Sequence, residues 1–176
     1  MSGEKTFEIA KEIAKKCPKY NVFCAHNQKD RNIPKNMKIH KTRLCLAETK
    51  SHSTTISDCD ISIVYEKIIL AIFEIEEKNE IVPKKMFGDI IPFILAKSCY
   101  IDGTEYYLND RTQYAVFGLS DVDGQKNIKI DYVINQLKKI DSRRNSIGQR
   151  IAIIPFKANE LEKIIKYIQD ILKISA

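Results

Sequence analysis

Residues 60–76 read DISIVYEKIILAIFEIE. Asp60–Tyr65 alternates polar and apolar side chains with period two, as a half-buried strand does. Ile68–Glu76 is apolar nearly throughout, so it suits a strand covered on both faces. Glu66 and Lys67 lie between them as a two-residue turn, although this turn lacks the usual Asn-Gly or Asp-Gly pair. The stretch therefore predicts an antiparallel hairpin. It ends in FEIE, where Glu74 and Glu76 are two apart and point to one face. Counting back through the turn places Asp60 near Glu74.

Outward from the hairpin, residues 4–17 carry Phe7, Ile9, Ala10, Ile13 and Ala14 at helical spacing, and Pro18 stops that helix. Residues 18–42 are polar and read as loop, with a possible short strand at 20–25. Arg43–Thr49 alternates as a strand, and 51–57 is a Ser/Thr-rich loop. After the hairpin, Pro83–Ser98 reads as a helix, with Pro83 suited to its first turn and Pro92 inside it as a kink. Strands at Gln113–Leu119 and Ile151–Phe156 alternate with helices at 125–140 and 159–174, the last with Asn159 as N-cap. The order predicts one α/β (α+β) domain over residues 1–176, with a mixed central sheet flanked by helices.

Composition narrows the function. Hydrophobic residues are 44% and charged residues 30% of the 176, the balance of a globular chain rather than a disordered one. No apolar run is long enough for a membrane helix, and the N-terminus alternates charge with apolar residues unlike a secretory signal. Five widely spaced cysteines without a CxxC argue against a disulfide scaffold, so a cytoplasmic location is expected. Neither a GxGxxG nor a P-loop occurs. Lys19–Arg43 holds seven basic residues and one acid, which accounts for the whole net charge of +6. A basic segment on a neutral body points to a polyanion, with nucleic acid the first candidate. Arg31, Lys35, Lys38, Lys41 and Arg43 are its candidate phosphate contacts, joined by Lys84 and Lys85 at the start of the next helix. A second basic stretch runs from Lys138 to Arg150.

Carboxylates supply the chemistry. Like charges crowded at one end of an apolar strand need a cation to offset them. Asp60, Glu74 and Glu76 together form a hard-oxygen site of the type Mg²⁺ uses with substrate phosphates. Such an ion can polarise a phosphodiester and make water a better nucleophile. Asp58 shares strand parity with Asp60, but the apolar alternation begins at Asp60.

An acid opening one strand of a hairpin, Glu74-Ile-Glu76 closing the other, and a helix after it resemble the restriction endonuclease-like superfamily, the PD-(D/E)xK nucleases. That family's core, α-β-β-β-α-β, is similar in order to residues 4 to about 119, with an α-β-α added here. The resemblance implies a metal-dependent DNA endonuclease, most simply a type II restriction enzyme working as a homodimer. It implies Asp60 and Glu74 as ligands of Mg²⁺, with Mn²⁺ as substitute. Two positions depart from the family pattern. Cys59 precedes Asp60 where proline is common, and Glu76 stands at the lysine position. Lys78, Lys84 or Lys85 could bring a lysine from elsewhere. Glu48 is a candidate fourth acid, with Glu12 a weaker one. A repair or junction-resolving nuclease, or an inactive nucleic-acid-binding module of the same fold, are the alternatives.

Cys17, Cys24, His26 and His40 match no standard zinc spacing. His52 and Ser53 lack a nucleophile elbow. Tyr106, Tyr107 and Tyr114 could stack on bases, though packing is the commoner use of such residues.

Overall fold

The computed structural model describes residues 3–26, 32–48, 53–77, 83–119, 132, 135–136, 151–157 and 160–175. Its elements are α1 (Glu4–Lys16), β1 (Asn21–Cys24), β2 (Met37–Ile39), β3 (Thr42–Cys45), β4 (Thr55–Cys59), β5 (Ile61–Tyr65) and β6 (Ile68–Glu76). They continue with α2 (Pro83–Leu95), β7 (Ser98–Ile101), β8 (Thr104–Tyr106), β9 (Gln113–Leu119), β10 (Ile151–Phe156) and α3 (Leu161–Ser175). The helix expected over 125–140, the cap at Asn159 and the second basic stretch fall largely or wholly outside the described residues.

The fold is mixed α/β with two sheets. Six strands run in the order β10-β9-β6-β5-β1-β2, and four in the order β4-β3-β7-β8. In the large sheet β5 is antiparallel to β1 and β6, while β6-β9-β10 and β1-β2 pair in parallel. The small sheet is antiparallel throughout. β6 is central, which is why eight of its nine residues are buried.

Each face of the large sheet has its own core. On one side Ala71, Phe73 and Ile75 of β6 pack with Ile9 and Ile13 of α1 and Ile164 and Ile168 of α3. On the other, Ile69 and Ile72 meet Leu44 and Cys99 of the small sheet and Ile90 and Phe93 of α2. Burial of these aliphatic side chains, at about 1.5–3 kcal/mol each, is the main stabilising contribution.

The hairpin forms with its turn at Glu66–Lys67, and Glu66 takes a left-handed φ of 55°. Its ladder slips by one residue: Ile63 faces Ala71, but Val64 faces Ile69, so Leu70 is an extra residue in β6. This bulge turns Leu70 to the same core as Ala71. It also sets the register beyond Ile61–Phe73, so that Asp60 falls opposite Glu74.

Several expectations are corrected. In the 18–42 segment the short strand expected at 20–25 forms as β1, and β2, which was not expected, joins it at one edge of the large sheet. Buried Val22, Phe23, Cys24 and Met37 hold these short strands down. The 51–57 loop contains most of β4, a half-exposed edge strand in which threonine is at home. The strand expected at Arg43–Thr49 ends at Cys45 and belongs to the small sheet. The β7–β8 hairpin was not expected. The turn between its strands is Asp102–Gly103, with φ of 49° and 79°.

Candidate metal and phosphodiester site

Asp60 sits where the chain leaves the small sheet at Cys59 and enters the large one at Ile61. Both of its oxygens are held there. Oδ2 accepts the Ile75 backbone N–H at 2.9 Å, and Oδ1 lies 2.9 Å from His26 Nε2. Glu74 is anchored in turn by the Asp60 backbone N–H and the Cys59 thiol, both donating to its carboxylate. Glu74 and Glu76 are each only 8% exposed.

α2 closes the site from above β6. Lys85 Nζ donates to Glu76 Oε2. Asp89, one helical turn further along, lies close enough to Glu76 for the two carboxyls to share a proton. Its Oδ2 is buried and has no hydrogen-bond partner among the described residues. The Tyr114 hydroxyl, buried on β9, donates to the Asp89 carbonyl and pins this turn of the helix to the sheet.

Four carboxyls therefore neighbour one another around the end of β6, with one lysine among them. Burial pushes Glu74 well above the usual carboxylate range, and the charges of Asp60 and Asp89 push the same way. Burial and then Glu76 raise Asp89 to about 6, against the opposing pull of Lys85. For Lys85, burial works downward, but the hydrogen bond and charge of Glu76 outweigh it and leave the ammonium raised. The site holds more negative charge than its lysine can balance.

The sequence candidates divide accordingly. Asp60, Glu74, Glu76 and Lys85 are together. Glu48 is not with them: it is exposed after β3, and its carbonyl accepts from Tyr100 Oη at 2.6 Å. Glu12 pairs with Lys15 on α1. Asp58 faces away on β4, bonded to Lys41 at 3.0 Å and Arg43 at 3.2 Å. Lys35 is exposed, and Lys38 lies 5.9 Å from the Phe23 ring. Arg31, Lys78 and the side chain of Lys84 lie outside the described residues.

Two residues join the site that the sequence reading did not place there. Asp89 falls among the apolar residues of α2, and its signal was the i,i+4 spacing from Lys85. His26 lies 34 residues from Asp60 along the chain, so no sequence spacing joins them. All five cysteines are free and buried. Cys24 donates to the His26 carbonyl, and burial lifts its thiol to about 11.

A divalent cation fits this donor set in kind. The donors are carboxylates, the charges repel without a counterion, and Asp89 Oδ2 is buried without a partner. Among the described residues no three His, Cys, Asp or Glu side chains already converge on one metal-sized point. No family model, no curated protein and no solved structure matches the chain. No helix among the described residues is long and apolar enough to cross a membrane.

Proposed function

We propose that the chain is a metal-dependent nuclease that hydrolyses DNA phosphodiesters, with Asp60 and Glu74 as the principal metal ligands. The observation that carries this reading is the cluster of buried Glu74 and Glu76 with the half-buried Asp60 and Asp89, and the exposed Lys85 against it. The succession α1-β1-β5-β6-α2-β9, with β6 and β9 parallel across α2, supports a restriction endonuclease-like core. In that core β1 takes the place first expected of the 43–49 strand.

Mg²⁺ or Mn²⁺, when bound, would neutralise charge on the phosphate oxygens and make a nearby water more acidic. The chain's own groups do the rest. Glu76 accepts a proton or orients water at the position where the family has lysine. Lys85, arriving from α2, supplies the cation that stabilises charge developing on the phosphate. The Ile75 N–H and His26 hold Asp60 in one rotamer. A type II restriction role with a homodimer is the simplest biology, and repair or junction resolution uses the same chemistry. Lys35 and Lys38, exposed on the β2 side, are the basic groups placed to meet a DNA backbone.

The ion pair between Glu76 and Lys85 favours a second reading, an inactive nucleic-acid-binding module, because it ties up the acid at the lysine position. Cleavage of supercoiled plasmid in Mg²⁺, Mn²⁺ and EDTA separates the two. Cleavage that disappears in EDTA and in Asp60→Ala and Glu74→Ala proteins supports the nuclease. Salt-sensitive DNA binding without cleavage supports the module.

A further inference from the structure

At the far end of β6 from the acidic cluster, a cleft of about 320 Å³ opens between the α1–β1 link, the β5–β6 turn and the bend before β9. Six residues of strand separate its floor residue Ile68 from Glu74, or roughly 20 Å. Ile68 and Leu70 form an apolar floor. Tyr20 and Tyr65 wall one side, their rings meeting edge-on with centres 6.1 Å apart. Lys19 Nζ lies over both rings, 4.9 Å from Tyr65 and 5.6 Å from Tyr20, and no carboxylate pairs with it among the described residues. Arg111 brings a second cation to the lining, against one acid, Glu66.

The walls are fixed without a ligand. Asn36 Nδ2 donates to the carbonyls of Ala14 at 3.0 Å and Tyr20 at 2.8 Å, locking the link that carries Lys19. Thr112 Oγ1 donates to the Ile69 carbonyl at 2.8 Å and accepts the Asn109 N–H at 2.9 Å, which ties the Arg111 bend to β6. A cleft built in advance loses little entropy on binding.

We propose that this cleft binds one nucleotide unit, its base against the tyrosines and its phosphate held by Lys19 and Arg111. Lys19 has no carboxylate partner among the described residues and Arg111 stands in the same lining, so the ligand that fits carries an anionic group. The apolar floor and aromatic walls select a flat, apolar body attached to that anion. The volume is at the lower end of ligand sites, enough for a mononucleotide and too small for a dinucleotide. Stacking on an aromatic side chain with a cation on the phosphate is also how proteins hold nucleotides without reading the base. The proposal stands apart from the acidic cluster and from the nuclease reading. A free mononucleotide and the phosphorylated end of a DNA strand share this chemistry.

The test is calorimetric titration of the full chain in EDTA with 5′-AMP and 5′-UMP, and with adenosine and inorganic phosphate as the separate halves. Lys19→Ala and Tyr65→Ala remove one exposed contact each, and circular dichroism checks that both proteins fold. The expected result is saturable binding of both nucleotides, at least tenfold tighter than either half and weakened at least tenfold by each substitution. Absence of nucleotide binding at millimolar concentration overturns the proposal. So does binding that both variants retain, or a half that binds as well as the whole. Given binding as expected, a 5′-phosphorylated oligothymidylate that displaces AMP identifies a strand end as the ligand, and one that fails to displace it identifies the free nucleotide.

Discussion

Replacing Glu74 by glutamine is expected to make the metal-free protein more stable at pH 7.5 and to change nothing at pH 4. Glu74 is 8% exposed, and burial, then Asp60 and Asp89, raise its pKa well above the ordinary 4.5. The Asp60 N–H and the Cys59 thiol pull the other way without overcoming them. Between the ordinary value and the raised one, the folded chain holds a proton that the unfolded chain releases. Stability is therefore full below the ordinary value and is lost as pH rises toward the folded one. Each unit of that gap costs about 1.4 kcal/mol at the high-pH end. Glutamine keeps the shape, and its carbonyl still accepts from the Asp60 N–H, but it cannot ionise. The gain at pH 7.5 is about 2 kcal/mol or more, the scale of burying a poorly compensated polar group. Urea unfolding in EDTA, followed by far-UV circular dichroism at both pH values, measures it. A Glu74→Gln protein that is less stable at pH 7.5, or that gains equally at pH 4, refutes the reasoning.

Other perturbations follow from the same geometry. On the proposed nuclease reading, Lys85→Ala should lower plasmid cleavage by about 100-fold or more, since its loss removes one charge-stabilising donor; cleavage rates at saturating Mg²⁺ check this. Glu77 accepts from the Gly3 N–H at 3.0 Å and from the Thr6 N–H and hydroxyl at 2.9 Å, so it caps α1 from the end of β6. Glu77→Ala should destabilise by about 1–2 kcal/mol in denaturant unfolding, as losing an N-cap does. Burial works upward on the Glu77 pKa, but these hydrogen bonds outweigh it and leave it lowered. The cap's contribution should thus be present above the ordinary carboxylate value and fade as pH falls through the folded one, with Glu77→Ala and wild type converging in acid. Gly3 has a φ of 92°, and a Cβ there would lie 2.3 Å from His26 Nδ1. Gly3→Ala should therefore lower the melting temperature and also weaken cleavage by displacing the His26 ring from Asp60. Burial lifts the Cys99 thiol to about 12 and Cys24 to about 11, so a thiol reagent should label neither until the protein unfolds.

What could be read from the sequence follows burial. β6 and β9 are apolar runs inside the large sheet, β10 is an apolar run at its edge, and α1 and α3 each show one apolar stripe, so local pattern alone locates them. β1, buried at Val22, Phe23 and Cys24, is the short strand anticipated at 20–25, whereas β2 and β4 are strands of three and five residues with one buried residue each. In β2 and β4 Lys38 and Asp58 are exposed, and the local composition resembles loop. The β7–β8 hairpin carried an Asp-Gly signal at Asp102–Gly103, but tyrosines and acids around it obscured the alternation. At the site, Glu74 and Glu76 were legible as neighbours because strand parity is a local property, whereas the meeting of Asp60 with Glu74 depends on the bulge at Leu70, which no local pattern announces. Asp89 and His26 were not, because they come from other elements and only tertiary packing brings them in. Glu48 fails for the converse reason: its nearness along the chain to β3 says nothing about which sheet that strand joins.

Leu70 links the fold to the chemistry. With a two-residue turn at Glu66–Lys67 and an unbroken ladder, Asp60 would lie opposite Phe73, whose side chain points to the α1–α3 core. The extra residue at Leu70 shifts the register by one and brings Asp60 opposite Glu74. Directly opposed residues on antiparallel strands share a face, so a single-residue slip decides whether the two acids meet or point apart. The bulge itself costs a ladder hydrogen bond, and it turns Leu70 into the core, which offsets that cost. Asp60 then occupies the corner between two sheets, where its backbone N–H is free of either ladder and can donate to Glu74. A hairpin without this bulge would hide one acid in an apolar core and leave the other without its neighbour. The crowding that raises Glu74 is therefore set by strand register, and α2 adds Lys85 and Asp89 to a pair of acids already formed.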